Sequence, residues 1–410
     1  MGTWLLPRSD LTPEQLRVVE MSPDQHRVVL GPPGSGKTQV LVHRAAHLTE
    51  RYKVPSTRYR LFVFTNVVKE YIRSGVQFLG LPEETACTFD HWCRLFYEDY
   101  VSNILPRKSR RGIIDFERIR LSVLDTLESR KALQNSFDFV LVDEGQDLSP
   151  EVYDILRLAA KHITVFTDPQ QKIFENGAPE SFILQKLNLS RRNATLLGAY
   201  RNAPYVAYLA SHFISDEELR KEYIAQTNTE QKVRERPLCY IAPSFEDETN
   251  RLAEIVKQRQ IMNERVGIIV PTNRLLHGLA KGLEERGIEL EKAIKKESFR
   301  GIEVACDFGN NVPKIATFHM AKGLTFDSVL MPRLIERSFP WVRGVARQRI
   351  LFVGIARATQ WVYLSTINNY EISEMEILRK AEAEGHLVIQ ERDDFRAREE
   401  EPEDDDFSVL

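Results

Sequence analysis

Residues 28–40 read VVLGPPGSGKTQV, three apolar residues leading into a G-x-x-x-x-G-K-[ST] pattern and then into a helical one. A strand, a glycine-rich turn and a helix in that order form a phosphate-binding loop rather than a simple surface turn. Successive backbone N–H groups of such a loop converge on a phosphate, Lys37 reaches the outer phosphate oxygens, and the Thr38 hydroxyl suits a Mg²⁺ ligand. Gly31, Pro32, Pro33, Gly34, Ser35, Gly36, Lys37 and Thr38 are therefore the expected cradle of a nucleoside triphosphate. The loop alone does not name the reaction.

Outward from it, short β-branched and aromatic runs recur between helical patterns: HRVVL, RLFVFT, DFVLVD and HITVFTD in the first half of the chain. LCYIA, RVGIIVPT, PKIATFH, FDSVLMP and WVYLST follow in the second, with a helix expected over residues 275–286. Such alternation predicts parallel α/β sheets with ligand groups at the carboxyl ends of strands. Two α/β domains are expected, meeting near residues 187–193, and 410 residues suffice for both.

With 42% hydrophobic and 28% charged residues the composition is that of an ordinary soluble protein. Residues 391–410 carry ten acids and three arginines, so this −7 against −3 for the whole chain leaves +4 on residues 1–390. A mildly basic body is compatible with a polyanion, and the acidic tail is expected to be disordered. Four scattered cysteines without C-x-x-C spacing exclude a zinc ribbon or iron–sulfur cluster and suit reduced thiols. No apolar run reaches membrane-spanning length and the first residues do not read as a signal peptide, so no membrane is involved and a cytoplasmic location is expected. A basic loop, SNILPRKSRRG at residues 102–112, suits either solvent or a phosphate backbone.

Chemical groups accompany the loop. Asp143 and Glu144 follow the apolar FDFVLV run; the first suits Mg²⁺ and the second the orientation and deprotonation of a water. The next strand leads into residues 168–174, where a glutamine can sense the γ-phosphate and an aromatic can stack a base or pack in a core. Arg201 and Arg357 lie in the second half; if they reach the triphosphate, the site lies between the two domains.

These residues resemble the superfamily 1A helicases of the UvrD, PcrA and Rep type, whose motifs occur here in the family's order across residues 10–368. The resemblance implies two tandem RecA-like P-loop NTPase domains with parallel sheets: a first domain at 1–187, a second at 188–385 and an acidic tail at 386–410. Residues 11–15, LTPEQ, look like the Q motif, where Gln15 would read adenine. Residues 62–66, FVFTN, resemble motif Ia, with Phe64, Thr65 and Asn66 on single-stranded nucleic acid. Residues 88–93, TFDHWC, resemble motif Ib, with Thr88 and His91 on the strand and Asp90 and His91 where His and Ser are usual. Motif II is 143–147, with Gly145 in place of an aromatic. Motif III, 168–174, assigns Gln171 to the γ-phosphate and Phe174 to stacking.

In the second half, Tyr200 would stack on adenine and Arg201 contact the γ-phosphate, as in motif IV. Residues 312–327 resemble motif V, with His319 and Lys322 near the nucleic acid, and residues 345–365 resemble motif VI, with Arg357 as the arginine finger. The chain departs from the pattern at Thr325, where Glu is usual, at Gln39, where Arg is frequent, and at Glu175, Asn176 and Gly177 after motif III. The intervals from Cys93 to Asp143 and from Asn202 to Lys314 are too short for the family's large inserts. A reduced 1B element at about 95–136 and no 2B are expected.

The resemblance implies an ATP- and Mg²⁺-dependent 3′–5′ translocase or helicase on single-stranded DNA, with residues Lys37, Glu144, Gln171, Arg201 and Arg357 catalytic. Two other readings stay open: RNA as the polymer, and a nucleotide-switched subunit that recruits a partner such as a nuclease or repair factor through the acidic tail.

Overall fold

The computed structural model describes residues 4–32, 34–108, 114–168, 179–196, 202–225, 227, 235–298, 301–304, 306–340 and 342–392. The first half forms strands β1 (Arg27–Leu30), β2 (Tyr59–Val63), β3 (Ala86–Thr88), β4 (Phe137–Val142), β5 (Ala160–Thr167) and β6 (Ala194–Thr195). They lie in the order β3-β2-β4-β5-β1-β6, and every pairing is parallel. Helices α1 (Pro13–Glu20), α2 (Lys37–Tyr52), α3 (Asn66–Phe78), α4 (Phe89–Tyr100), α5 (Phe116–Ser129), α6 (Pro150–Ala159) and α7 (Glu180–Lys186) accompany them. Val140, Leu141 and Val142 are fully buried, as apolar runs covered by helices on both faces must be.

The second half begins with α8 (Pro204–Ser211), α9 (Glu217–Ala225), β7 (Leu238–Ala242), α10 (Phe245–Ile261), β8 (Val266–Val270) and α11 (Asn273–Glu284). Then come β9 (Glu291–Lys292), an antiparallel hairpin of β10 (Lys295–Ser298) and β11 (Gly301–Val304), β12 (Lys314–Thr317), α12 (Phe318–Ala321) and β13 (Phe326–Met331). α13 (Val345–Ile355), β14 (Ala358–Ile367), α14 (Met375–Ala383) and β15 (Val388–Glu391) complete it. The second sheet runs β15-β7-β14-β13-β8-β12-β9, again parallel throughout. One apolar cluster reaches from Val29 and Leu141 of the first sheet through Val68 on α3 to Ala316 and Val329 of the second, so the sheets share a core.

Sheet membership corrects the expected boundaries. Ala194–Thr195 pairs with Val29–Leu30, so the first unit runs past residue 187. Val388–Glu391 pairs with β7, so the second runs past 385 into the segment expected as tail; residues 393–410 lie outside the described residues. Strands this short carry no periodicity of their own, and pairing to an edge decides them. Within the expected reduced element, α4 and α5 pack through Trp92, Phe96, Ile119 and Val123. Asp90 accepts from Arg120 of α5 at 2.7 Å, which also reaches Glu151 of α6 at 3.3 Å. Of the basic loop, Lys108 pairs with Glu117 at 3.2 Å, and Arg110 and Arg111 fall outside the described residues.

Candidate nucleotide cleft and polynucleotide face

Neighbouring strands β4, β5 and β1 end side by side, with Leu30 opposite Thr167 and Val142 opposite Val165. That register places the phosphate loop, Asp143 and Asp168 along one rim. Gly34 and Gly36 take left-handed φ of 79° and 84°, which side chains disfavour. A Cβ on Gly36 would also meet Gln15 Nε2 at 2.4 Å. Gln15 is buried; its Nε2 donates to the Ser35 carbonyl at 2.9 Å, and its Oε1 accepts from Thr12 N at 3.0 Å in a capping box that starts α1. Arg44 of α2 fixes the other end of α1, donating to the carbonyls of Val18, Val19 and Met21 at 3.0, 3.2 and 2.7 Å and to Thr164 Oγ1 at 3.0 Å. Gln39, the departure from the family pattern, holds the chain start by donating to Trp4 O at 2.7 Å and accepting from Leu6 N at 2.9 Å.

Lys37 Nζ donates to Gly31 O at 2.7 Å and lies 3.5 Å from Asp168 Oδ2, so the lysine curls back over its own loop. The Thr38 hydroxyl donates to Asp143 Oδ2 at 3.2 Å. Two hard oxygen donors meeting at the foot of the loop fit Mg²⁺. Burial, and then the adjacent Glu144 charge, pushes the Asp143 carboxyl up to about 6, the mark of a site that favours a cation.

Glu144 adopts φ 51° and its carboxylate accepts from Gln146 Nε2 at 2.5 Å. The same glutamine accepts from Thr167 Oγ1 at 3.2 Å and Asp168 N at 2.9 Å, tying the end of β4 to that of β5. Burial raises the Glu144 carboxyl, but the Lys322, Lys37 and Arg357 charges together reverse this and hold it below its ordinary range. Gly145 has no room for the family's aromatic: a Cβ would meet Val165 at 2.3 Å and the Tyr153 hydroxyl at 2.9 Å. Tyr153 of α6 fills that volume and donates to Gly145 O at 2.6 Å.

The second sheet supplies cations from the segments that lead into two of its central strands. Lys322 precedes β13 and Arg357 precedes β14, two neighbouring strands with Phe326 opposite Ala358. Lys322 is buried, ion-paired to Asp147 and 3.9 Å from Glu144. Two buried carboxylates hold the ammonium of this residue, which the resemblance places near nucleic acid, inside the cleft. Burial pushes the Asp147 carboxyl up, and Lys322 pulling the other way does not cancel the effect. Arg357 is buried too; desolvation lowers its pKa while Glu144, Asp168 and Asp143 support the charge. Asn202 braces it from both sides, donating to Ala356 O at 3.3 Å and Ala358 O at 2.5 Å. Gly323, at φ 83°, comes so close to α3 that a Cβ would stand 2.8 Å from Val68. Pro33, Gln171, Phe174, Tyr200 and Arg201 lie outside the described residues.

Beside the cleft, β2 and β3 end with Val63 opposite Thr88. Thr65 and Thr88 are the N-caps of α3 and α4, accepting from Val68 N at 3.1 Å and His91 N at 3.3 Å. Two helix N-termini thus share one rim, where unpaired N–H groups and helix dipoles suit phosphate. Phe64 and Asn66 are half-buried there, while His91 and His319 are exposed. Partial burial, then Arg94, Lys69 and Arg73, holds His91 below its ordinary pKa, so its surroundings are basic.

Sequence reasoning assigned no role to Gln146, Asp168, Asn202, Arg44 or Tyr223. The first three stand inside or beside motifs. Tyr223, on α9, has no such signal; its buried hydroxyl has no hydrogen-bond partner among the described residues, and its pKa is raised by burial and then by Asp168.

A parallel sheet that presents a phosphate loop and paired acids, closed by cations from a second parallel sheet, defines a P-loop NTPase of two tandem RecA-like domains. Residues 11–105 and 83–189 match the model of the UvrD/REP helicase N-terminal domain, and residues 303–369 that of the UvrD-like helicase C-terminal domain. The chain belongs to the UvrD-like helicase family. It is similar to a probable DNA helicase of Mycoplasma pneumoniae, 23% identical over 63% of this chain and 49% of that protein. It also matches a probable DNA helicase II homolog of Mycoplasma capricolum, 23% identical over 40% of this chain and 24% of the relative. The mitochondrial ATP-dependent DNA helicase HMI1 of Saccharomyces cerevisiae is 27% identical over 39% of this chain and 25% of its own length. The matches span at most about half of each relative. No helix among the described residues is long and apolar enough to cross a membrane.

Proposed function

We propose that this chain is an ATP-dependent translocase and helicase that moves 3′ to 5′ on single-stranded DNA and hydrolyses ATP between its two sheets. One observation carries the reading: Lys322 and Arg357 of the second unit converge on Glu144, Asp143 and Asp147 of the first. A site built from both units transmits its occupancy as relative motion of those units.

The loop from Gly31 to Thr38 and Lys37 bind the β- and γ-phosphates, Gln15 and Tyr200 hold the adenine, and Thr38 with Asp143 hold Mg²⁺. That ion neutralises developing charge on the phosphates when bound. Glu144 orients the attacking water and takes its proton, while Arg201, Gln171 and Arg357 face the γ-phosphate. Without nucleotide, Lys322 first, and then the two cations Lys37 and Arg357, depress the basicity of Glu144. A triphosphate draws both cations to itself and returns Glu144 to its task, so the base strengthens only when there is something to hydrolyse. Phe64, Thr65, Asn66, Thr88 and His91 take the strand along the rim beside the cleft, and the resemblance assigns Phe174 and His319 to the same strand.

ATPase rates without polymer, with single-stranded DNA and with RNA test this, followed by displacement from 3′- and 5′-tailed duplexes. Several-fold stimulation by single-stranded DNA and displacement from the 3′ tail are expected. A rate indifferent to every polynucleotide defeats the proposal, and stimulation by RNA alone changes its substrate.

A further inference from the structure

Three ligand-type side chains that take no part in the cleft meet in the second unit. His212 is the C-cap of α8, Glu384 is the C-cap of α14, and His386 follows Gly385, whose φ of 78° turns the chain into β15. His212 Nε2 lies 3.0 Å from His386 Nδ1. The Glu384 carboxylate is 3.5 Å from His212 Nε2 and 3.8 Å from His386 Nδ1. Ligands at tetrahedral bond lengths around zinc stand ~3.3 Å apart, and this triangle is close to one face of such a tetrahedron.

The rings are held rather than mobile. The His212 side chain is 1% exposed, and Tyr208 stacks on His386 with ring centroids 4.9 Å apart. Two imidazoles and one carboxylate are a donor set that selects a borderline divalent ion over Mg²⁺ or Ca²⁺ and leaves a fourth position open.

We propose that His212, Glu384 and His386 form a binding site for a divalent transition metal of the zinc class. Arg220 is the group that opposes the ion. Its Nη2 lies 3.4 Å from both His212 Nδ1 and Glu384 Oε2. A ring metallated at Nε2 carries its proton on Nδ1, so the contact with Arg220 turns from attractive to repulsive. Arg220 serves as the cation of the metal-free state and gives way when the ion arrives. The bound ion ties the end of α8 to the edge strand β15.

The test uses the full chain, stripped by chelator and kept in Mg²⁺ buffer. Zn²⁺ is titrated by calorimetry and Co²⁺ by visible absorption. One equivalent of Zn²⁺ is expected, with affinity at least ~10-fold weaker in His386→Ala and in Glu384→Gln, and tighter in Arg220→Ala. Glu384 is 39% exposed, so its variant is read even if His386→Ala misfolds. Co²⁺ is expected to give the intense bands of a four-coordinate ion. Unchanged affinity in Glu384→Gln and His386→Ala, or a six-coordinate Co²⁺ spectrum at one equivalent, overturns the site.

Discussion

The rim of the first sheet holds two sites of opposite character. Where β4, β5 and β1 end, charged groups are buried and interlocked: Lys37 with Asp168, Thr38 with Asp143, Glu144 with Gln146, and Lys322 with Asp147. Where β2 and β3 end, two helix N-caps stand beside a half-buried aromatic and an exposed histidine. A site that breaks a phosphate bond needs fixed charge in a dry setting, because electrostatic stabilisation fades in water. Under the proposed function a strand steps along the second rim, which needs the reverse, contacts that release easily.

The largest break in that comparison comes from Lys37→Ala. Loss of ATPase by about 10²–10³-fold is expected, with DNA affinity changed far less, and comparable losses of both would erase the distinction between the sites. Next is Lys322→Met, which leaves Asp147 and Glu144 buried without their ion partner. A stability loss of about 3–5 kcal/mol is expected in denaturant melts. The ATPase should fall while DNA affinity without nucleotide holds; a reversed pattern would restore Lys322 to the strand.

Acid probes the foundation of the nucleotide side. His162 on β5, beside Arg44, is held at about 3 by burial and then by that guanidinium, so the folded state keeps it neutral while the unfolded chain protonates near 6.5. Its contribution is complete above pH 6.5 and is lost as pH falls toward 3, with a slope of up to about 1.4 kcal/mol per pH unit. His162→Asn should flatten the acid limb of a stability profile; an identical limb in both proteins would remove His162 as its cause.

Gly145→Ala tests how tightly that side is packed, and a loss of about 1–3 kcal/mol is expected from the clash with Val165 and Tyr153. Tyr153→Ala in the same chain should recover part of it, and a purely additive pair would show the two do not share a volume. Smallest are Thr65→Ala and Thr88→Ala, each costing about 1 kcal/mol as a lost cap. Both should lower DNA-stimulated ATPase more than the basal rate.

The strands rich in valine, isoleucine and phenylalanine were legible because each carries enough apolar length to mark itself: HRVVL, DFVLVD and LCYIA fall on β1, β4 and β7. The short β3, β6 and β15 were not, since hydrogen bonds to an edge rather than their own composition make them strands. Motif order likewise singled out Lys37, Thr38, Asp143, Glu144 and Arg357, side chains that the fold brings together. It did not reveal that Lys322 pairs with Asp147, because sequence places a lysine near a motif but cannot say which wall of a cleft its ammonium reaches.

The sequence by itself determined the phosphate loop, the paired acids at a strand end and the two-sheet α/β class, all of which are local patterns of residue type and spacing. Only tertiary structure decided that Lys322 answers Asp147, that Asn202 braces Arg357, that Tyr153 occupies the volume left by Gly145, and that His212 meets Glu384 and His386. These contacts join residues far apart in the chain. Their partners are selected by burial, since a buried charge or an unfilled volume costs too much to leave unmatched.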